Sequence, residues 1–252
     1  MTNHIQVDQQ ATIRVIKINR AEKKNALTVA MYDAITDALV EGDNDPQTRA
    51  IILTTAGDDF TSGNDLMDFM AHPDLDESQG PARFIYQLAQ QKKPLIAAVE
   101  GLAVGVGATL LLHCDFVYMG QSSRLIFPFI NLALVPEAGS SLLLPRLIGH
   151  QKAAEMLMLG EPVPAQTADQ LGMVTQLCED GAALEAALSV AEKLSAKAPE
   201  ALLKTKALMT NGNQELRSQM DQELLAFRAR LQSPELSEAI QAFMQKRTPD
   251  FS

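Results

Sequence analysis

Between Arg124 and Arg146 the chain reads LIFPFINLALVPEAGSSLLLP, and Glu137 is the only ionisable side chain in that stretch. A carboxylate in such apolar surroundings is costly to bury unless it is paired or protonated. A carboxyl that holds its proton near neutral pH is suited to taking up a proton and giving it back. The residues alone allow a second reading, an acid in the first turn of a helix beginning at Pro136, where the dipole favours it.

Two further stretches could hold an anion. FTSGNDL (60–66) follows a strand-like run, and the small residues Ser62 and Gly63 let a ligand approach the backbone, with the amides of Asn64 and Asp65 next in line. GLAVGVGAT (101–109) follows another strand and opens an apolar helix, so the Val106 amide sits at a helix start. Facing each other across a cleft, two such loops can each donate one hydrogen bond to a developing oxyanion. Taken singly, each is as well explained as a turn with a helix cap.

Other chemistries lack their signatures. Gly105-Val106-Gly107 is followed by Leu110 where a dinucleotide site needs a third glycine, and Ser140 and Ser141 lack a G-x-S-x-G elbow. His113-Cys114-Asp115 reads as core packing, with no metal expected. The net charge of −10 argues against nucleic acid, although local lysines can still receive a small anion. Cys114 and Cys178 read as reduced core residues. MTNHIQVDQQ carries no signal-peptide pattern, the apolar run 101–112 is too short to span a bilayer, and the ending PDFS is no peroxisomal address, so a cytoplasmic protein without membrane association is expected.

These residues must be positioned by an α/β body. IRVIKIN (13–19), AIILTT (50–55), PLIAAVEG (94–101), DFVYMG (115–120) and LIFP (125–128) read as strands. A helix over 29–41 turns Met31, Ala34, Ile35, Ala38 and Leu39 to one face, and Gly105–His113 reads as a buried helix. HPDLDESQGP (72–81) collects turn formers, and PARFIYQLAQQ opens a helix with proline in its first turn. From about Ala182 strand signals stop, and four helical stretches follow, separated by Pro, Gly or Asn.

In this order and spacing the pieces resemble the crotonase superfamily, the enoyl-CoA hydratases and isomerases. NRAEKKNALT (19–28), FTSGNDL, KPLIAAVEGLAVGVGATLLLHCDFVY (93–118) and the stretch from LGMVTQL to AFMQKRTPDF carry the resemblance over nearly the whole chain. It implies a crotonase-like spiral of ββα turns over residues 1–195 and a helical C-terminal trimerisation region over 196–252. It also implies an acyl-CoA thioester as substrate, no cofactor beyond that coenzyme A, and a homotrimer or a hexamer made of two trimers. The backbone amides of Asn64 and Val106 would form the oxyanion hole. Lys24, Ala26 and Leu27 with Ser62, Gly63, Asp65 and Leu66 would follow the coenzyme A moiety. Gly105, Phe129 and Leu132 would touch the substrate, and Phe243 and Lys246 would reach it from the tail, often from an adjacent subunit.

Hydratases of this family use two glutamates, and the matching positions here are Thr109 and Phe129. Glu137 instead falls where the 3-enoyl-CoA to 2-enoyl-CoA isomerases carry their single catalytic glutamate. Phe127, Phe129, Ile130 and Leu132 are expected to wall it in and raise its pKa. The alternatives are other chemistry on the same scaffold (enoyl-CoA hydration, dienoyl-CoA isomerisation, decarboxylation) or a catalytically silent acyl-CoA-binding protein.

Overall fold

The structure is a computed structural model and describes residues 4–71, 77–210 and 213–251. Part of the expected turn region at 72–81 therefore lies outside the described residues. The main sheet has six strands in the order β1-β2-β3-β4-β6-β9: β1 (Ile5–Gln10), β2 (Ile13–Ile18), β3 (Ala50–Thr55), β4 (Leu95–Val99), β6 (Phe116–Gly120) and β9 (Gln176–Cys178). β1 pairs antiparallel with β2, and every other pair is parallel. A second sheet joins β5 (Leu102–Val104), β7 (Arg124–Ile126) and β8 (Val163–Pro164).

β3 is buried on both faces because it needs cover on both, as parallel strands do. On one side lie α1 (Val29–Asn44) and α3 (Gly80–Gln90), which bring Met31, Tyr32, Ile35, Leu39, Phe84 and Leu88 against Ile51 and Leu53. On the other lies α8 (Ala183–Ser195), whose Ala183, Ala187 and Ala191 repeat every fourth residue and form a flat stripe against Ile52, Ile96 and Ala98. Thr28 caps α1 by accepting the Met31 N–H, and α2 (Leu66–Ala71) follows the first of the two candidate loops.

Several expectations need correction. Gly105–His113 is not one helix: α4 (Val106–Thr109) makes a single turn and tightens into a 3-10 turn over Leu110–His113. Its short dipole adds little, so whatever Val106 offers an anion comes from its own N–H. No helix begins at Pro136, because Ala138 and Gly139 both adopt left-handed backbone and α5 (Ser140–Ile148) starts only after them. The strands β1, β5, β8 and β9 carried too few β-type residues to be picked out from the sequence.

After α6 (His150–Leu159) and α7 (Ala165–Gln170), the tail helices are α9 (Pro199–Met209), α10 (Asn213–Leu231) and α11 (Pro234–Gln245). α10 packs across α3 and α5, burying Met220 and Phe227, whereas Leu225 and Met244 stay exposed. None of the described helices is long and apolar enough to cross a membrane.

Candidate active site

The two loops lie on one edge of the second sheet. Leu27 pairs with Asn64 in a parallel bridge, its N–H reaching Gly63 O and its carbonyl accepting the Asp65 N–H. That pattern turns the N–H of Asn64 itself to the opposite side of the loop. Thr61 pairs in the same way with Ala103 of β5, so loop 60–66 is threaded between β5 and the 19–28 segment. Asn25, fully buried, locks that segment: its side chain accepts the Arg20 N–H and donates to Ala56 O and Asp59 O.

The second loop presses directly on the first. A Cβ at Gly107 would lie 2.4 Å from Thr61 Cγ2, so only glycine allows α4 to approach Thr61 this closely. Among the described residues neither the Asn64 nor the Val106 N–H has an acceptor.

Glu137 joins these loops through Thr109. The Thr109 hydroxyl, one turn after Val106, donates to Glu137 Oε1 at 2.5 Å. Tyr32 closes the ring from α1: its hydroxyl donates to Asn64 Oδ1 at 2.5 Å, and it lies near enough for the charge of Glu137 to raise its pKa beyond what burial does. The Glu137 residue as a whole is half-buried, but its carboxyl is enclosed by protein. Burial pushes the carboxyl up to about 7, the Thr109 hydrogen bond works against that, and the nearby Glu223 adds to it.

The matched positions divide. Gly63, Gly105, Leu27 and Phe129 are buried, and Ala26, Ser62, Leu66 and Leu132 are half-buried. Leu27 offers only its backbone, because its side chain belongs to the core. Lys24 is exposed in a left-handed turn with Nζ 3.7 Å from Asp59. Asp65 is tied up: Arg20 pairs with it at 2.8 Å and holds its carboxyl below the usual range, and it also accepts the Asp68 N–H. Phe127 and Phe129 are buried as expected, but Ile130 is 45% exposed and is no wall of an enclosed pocket. Lys246 is exposed just past α11, and the side chain of Phe243 lies outside the described residues. A cavity of about 660 Å³ lies between the end of α3, Leu112–Asp115, α5 and α9, with His113 in its lining.

The enoyl-CoA hydratase/isomerase family model matches residues 8–252. The chain belongs to that family. Within the family it is 34% identical to the 2,3-dehydroadipyl-CoA hydratase of Escherichia coli, over 97% of both chains. It is also 34% identical to enoyl-CoA delta isomerase 2 of Rattus norvegicus, over 96% of this chain and 64% of that one. The Pseudomonas aeruginosa OdaA structure superposes with a TM-score of 0.94 at 43% identity, covering 96% of this chain and 99% of that one. The mixed α/β body with its C-terminal helices is thus the crotonase fold, and the family acts on acyl-CoA thioesters.

Sequence reasoning missed four members of the site. Tyr32 was overlooked beside Met31 on an apolar helix face, and Thr109 was noted only as a missing glutamate. His113, taken as packing, donates from Nε2 to Ala138 O at 2.7 Å when that nitrogen carries the proton. Burial lowers His113 to about 4, which keeps it neutral near pH 7. Glu223 had a signal: Met220, Glu223 and Phe227 follow helical spacing, which puts an acid on an apolar stripe.

Proposed function

We propose that this chain is an isomerase that moves a 3-enoyl-CoA double bond to the 2-position, with Glu137 as the proton-transfer group. The supporting observation is the state of Glu137: a carboxyl enclosed in protein and poised at about 7, bonded to Thr109 one turn after Val106, whose N–H, like that of Asn64, has no acceptor among the described residues. Among the described residues Glu223 is a second carboxylate near Glu137, and it is taken up by backbone donors. Thr109 and Phe129 stand where family hydratases carry acids, so the pair of glutamates those enzymes use to activate water is missing here.

In the reaction, the Glu137 carboxylate takes a proton from C2 of the substrate. The electron pair spreads over the dienolate, and its charge collects on the thioester oxygen. The Asn64 and Val106 amides donate to that oxygen, and losing one such donor costs about 3 kcal/mol of barrier. Glu137, now protonated, returns the proton at C4, leaving the double bond at C2. No water is added and no cofactor is consumed, since coenzyme A arrives as part of the substrate. A carboxyl poised at about 7 releases and regains a proton with little driving force lost either way. Lys24 would meet the coenzyme A phosphates, and we take the assembly to be a homotrimer or a pair of trimers.

A hydratase is the second reading, favoured by the name of the Escherichia coli relative. Initial rates on 3-hexenoyl-CoA and 2-hexenoyl-CoA separate the two. We expect isomerisation of the first and little hydration of the second. Glu137→Gln should lower isomerisation by roughly a hundred- to ten-thousandfold while coenzyme A thioester binding survives. Fast hydration of 2-hexenoyl-CoA by the wild type, or full isomerase activity in the variant, sinks the proposal.

A further inference from the structure

Glu137 stands at the head of an unusual turn. The next two residues, Ala138 (φ 57) and Gly139 (φ 69), are both left-handed. A non-glycine residue holds that conformation only where its surroundings impose it. Those surroundings come largely from one face of α10. Glu223 accepts the Gly139 N–H at 2.6 Å through one carboxylate oxygen, and the Ser141 N–H at 3.0 Å and the Ser141 hydroxyl through the other. Gln219 donates to Ser141 Oγ at 2.9 Å. Leu216 and Met220 press on Gly139 from the same face, where a Cβ would lie 2.3 Å from Leu216 Cδ1. His113 holds Ala138 O from the opposite side.

We infer that Glu223 is a positioning residue for Glu137: from α10 it fixes the turn that carries the base and brings a second carboxyl close to it. This rests on the reading of Glu137 as the proton-transfer group. The Gly139 and Ser141 N–H groups and the Ser141 hydroxyl favour the ionised form of Glu223, against the burial that raises its pKa. Among the described residues, the groups facing the Glu137 carboxyl are Thr109 from α4, Tyr32 from α1 and Glu223 from α10, with neutral His113 on the following carbonyl. Among these described groups Glu223, when ionised, is the one that places a negative charge near the base, and its repulsion favours the protonated form. Thus α10 sets both the place of the carboxyl and its proton affinity. The turn and the base lie adjacent in sequence, but the group holding them comes from far along the chain.

The test uses the full-length protein with ¹³C-carboxyl-labelled glutamate, the Glu137 signal being assigned by its loss in Glu137→Gln. Glu223→Gln keeps the shape but removes the charge and offers an N–H₂ where an acceptor is needed. We expect the Glu137 midpoint to fall below that of the wild type and the Gly139 and Ser141 amides to lose hydrogen-exchange protection. We also expect kcat on 3-hexenoyl-CoA to drop roughly ten- to a hundredfold, with KM nearly unchanged. Glu223→Asp keeps the charge but shortens the reach, so protection and kcat should fall while the midpoint stays near that of the wild type. If the glutamine variant fails to fold, Glu223→Ser, which also removes the charge, gives the midpoint, and Glu223→Asp still gives protection and kcat. An unmoved Glu137 midpoint in Glu223→Gln, or amide protection and kcat unchanged in Glu223→Asp, overturns the inference. The carboxyl titration and the exchange need no turnover, so a failure of the isomerase reading leaves them interpretable.

Discussion

The Thr109 hydroxyl donates to Glu137 Oε1 across 2.5 Å, and this bond opposes the rise that burial imposes on the carboxyl. Thr109→Val keeps the shape and removes the donor, so the base should titrate above 7. If Glu137 is the base, the acid limb of kcat/KM is expected near 7 in the wild type, since only the carboxylate accepts a proton, and should move to higher pH in the variant. The variant should be several-fold slower at pH 6 and recover at pH 9, and Thr109→Ser should restore the wild-type profile. Identical pH–rate profiles for wild type and the valine variant would refute the linkage.

Glu137 and His113 pull stability in opposite directions with pH. Glu137 is raised from 4.5 to about 7, so the folded chain binds its proton more tightly and gains stability as pH falls from 7 to 4.5. His113 is lowered from 6.5 to about 4, so the unfolded chain binds its proton more tightly and stability is lost as pH falls from 6.5 to 4. Each is worth at most about 3 kcal/mol, so the two nearly cancel. Glu137→Gln should stabilise the fold at pH 8 and leave a variant that weakens toward pH 5. His113→Gln, whose amide can still donate to Ala138 O, should instead grow more stable from pH 8 to pH 5. Urea melts at the two pH values check both signs.

Gly107 and Thr61 set how closely the two amide-bearing loops approach. Gly107→Ala would put a methyl 2.4 Å from Thr61 Cγ2, forcing the loops apart. Displacing one oxyanion donor should lower kcat about a hundredfold or more. Thr61→Ser removes the opposing methyl but keeps the hydroxyl that accepts the Gly63 N–H and donates to Asn25 O. The double variant should therefore recover much of the lost rate. A double variant as slow as Gly107→Ala alone would place the damage elsewhere.

Lys206 of α9 pairs with Asp115 at 2.6 Å, the side chains only 8% and 17% exposed, and also donates to Lys93 O. Asp115 in turn accepts the Leu95 N–H at the start of β4. Lys206→Met leaves that carboxylate without its cation and should cost about 3–5 kcal/mol in urea unfolding. Lys206→Met/Asp115→Asn should cost less than the single change.

Part of the candidate site could be read from the sequence. Glu137 stood out because a lone acid in a long apolar run has few structural reasons to exist, and the two small-residue loops stood out because each followed a strand. The alternative reading, a helix beginning at Pro136, arose because proline and a following acid fit a helix start locally, and no helix begins there. The left-handed turn there is imposed by His113 and Glu223, which no window around Pro136 contains. Ile130 failed as a wall for a related reason: apolar type does not say which way a side chain of a short 3-10 turn faces.

The sequence by itself determined the elements with a local cause: alternating and helical apolar periods, Thr28 as a cap, the small residues of the loops, and the absence of acids at positions 109 and 129. Only the tertiary structure decided which distant groups meet Glu137. Tyr32, Thr109, His113 and Glu223 converge from separate helices and turns, and the proton affinity of a carboxyl depends on its desolvation and on charges within a few ångströms, whatever their distance along the chain.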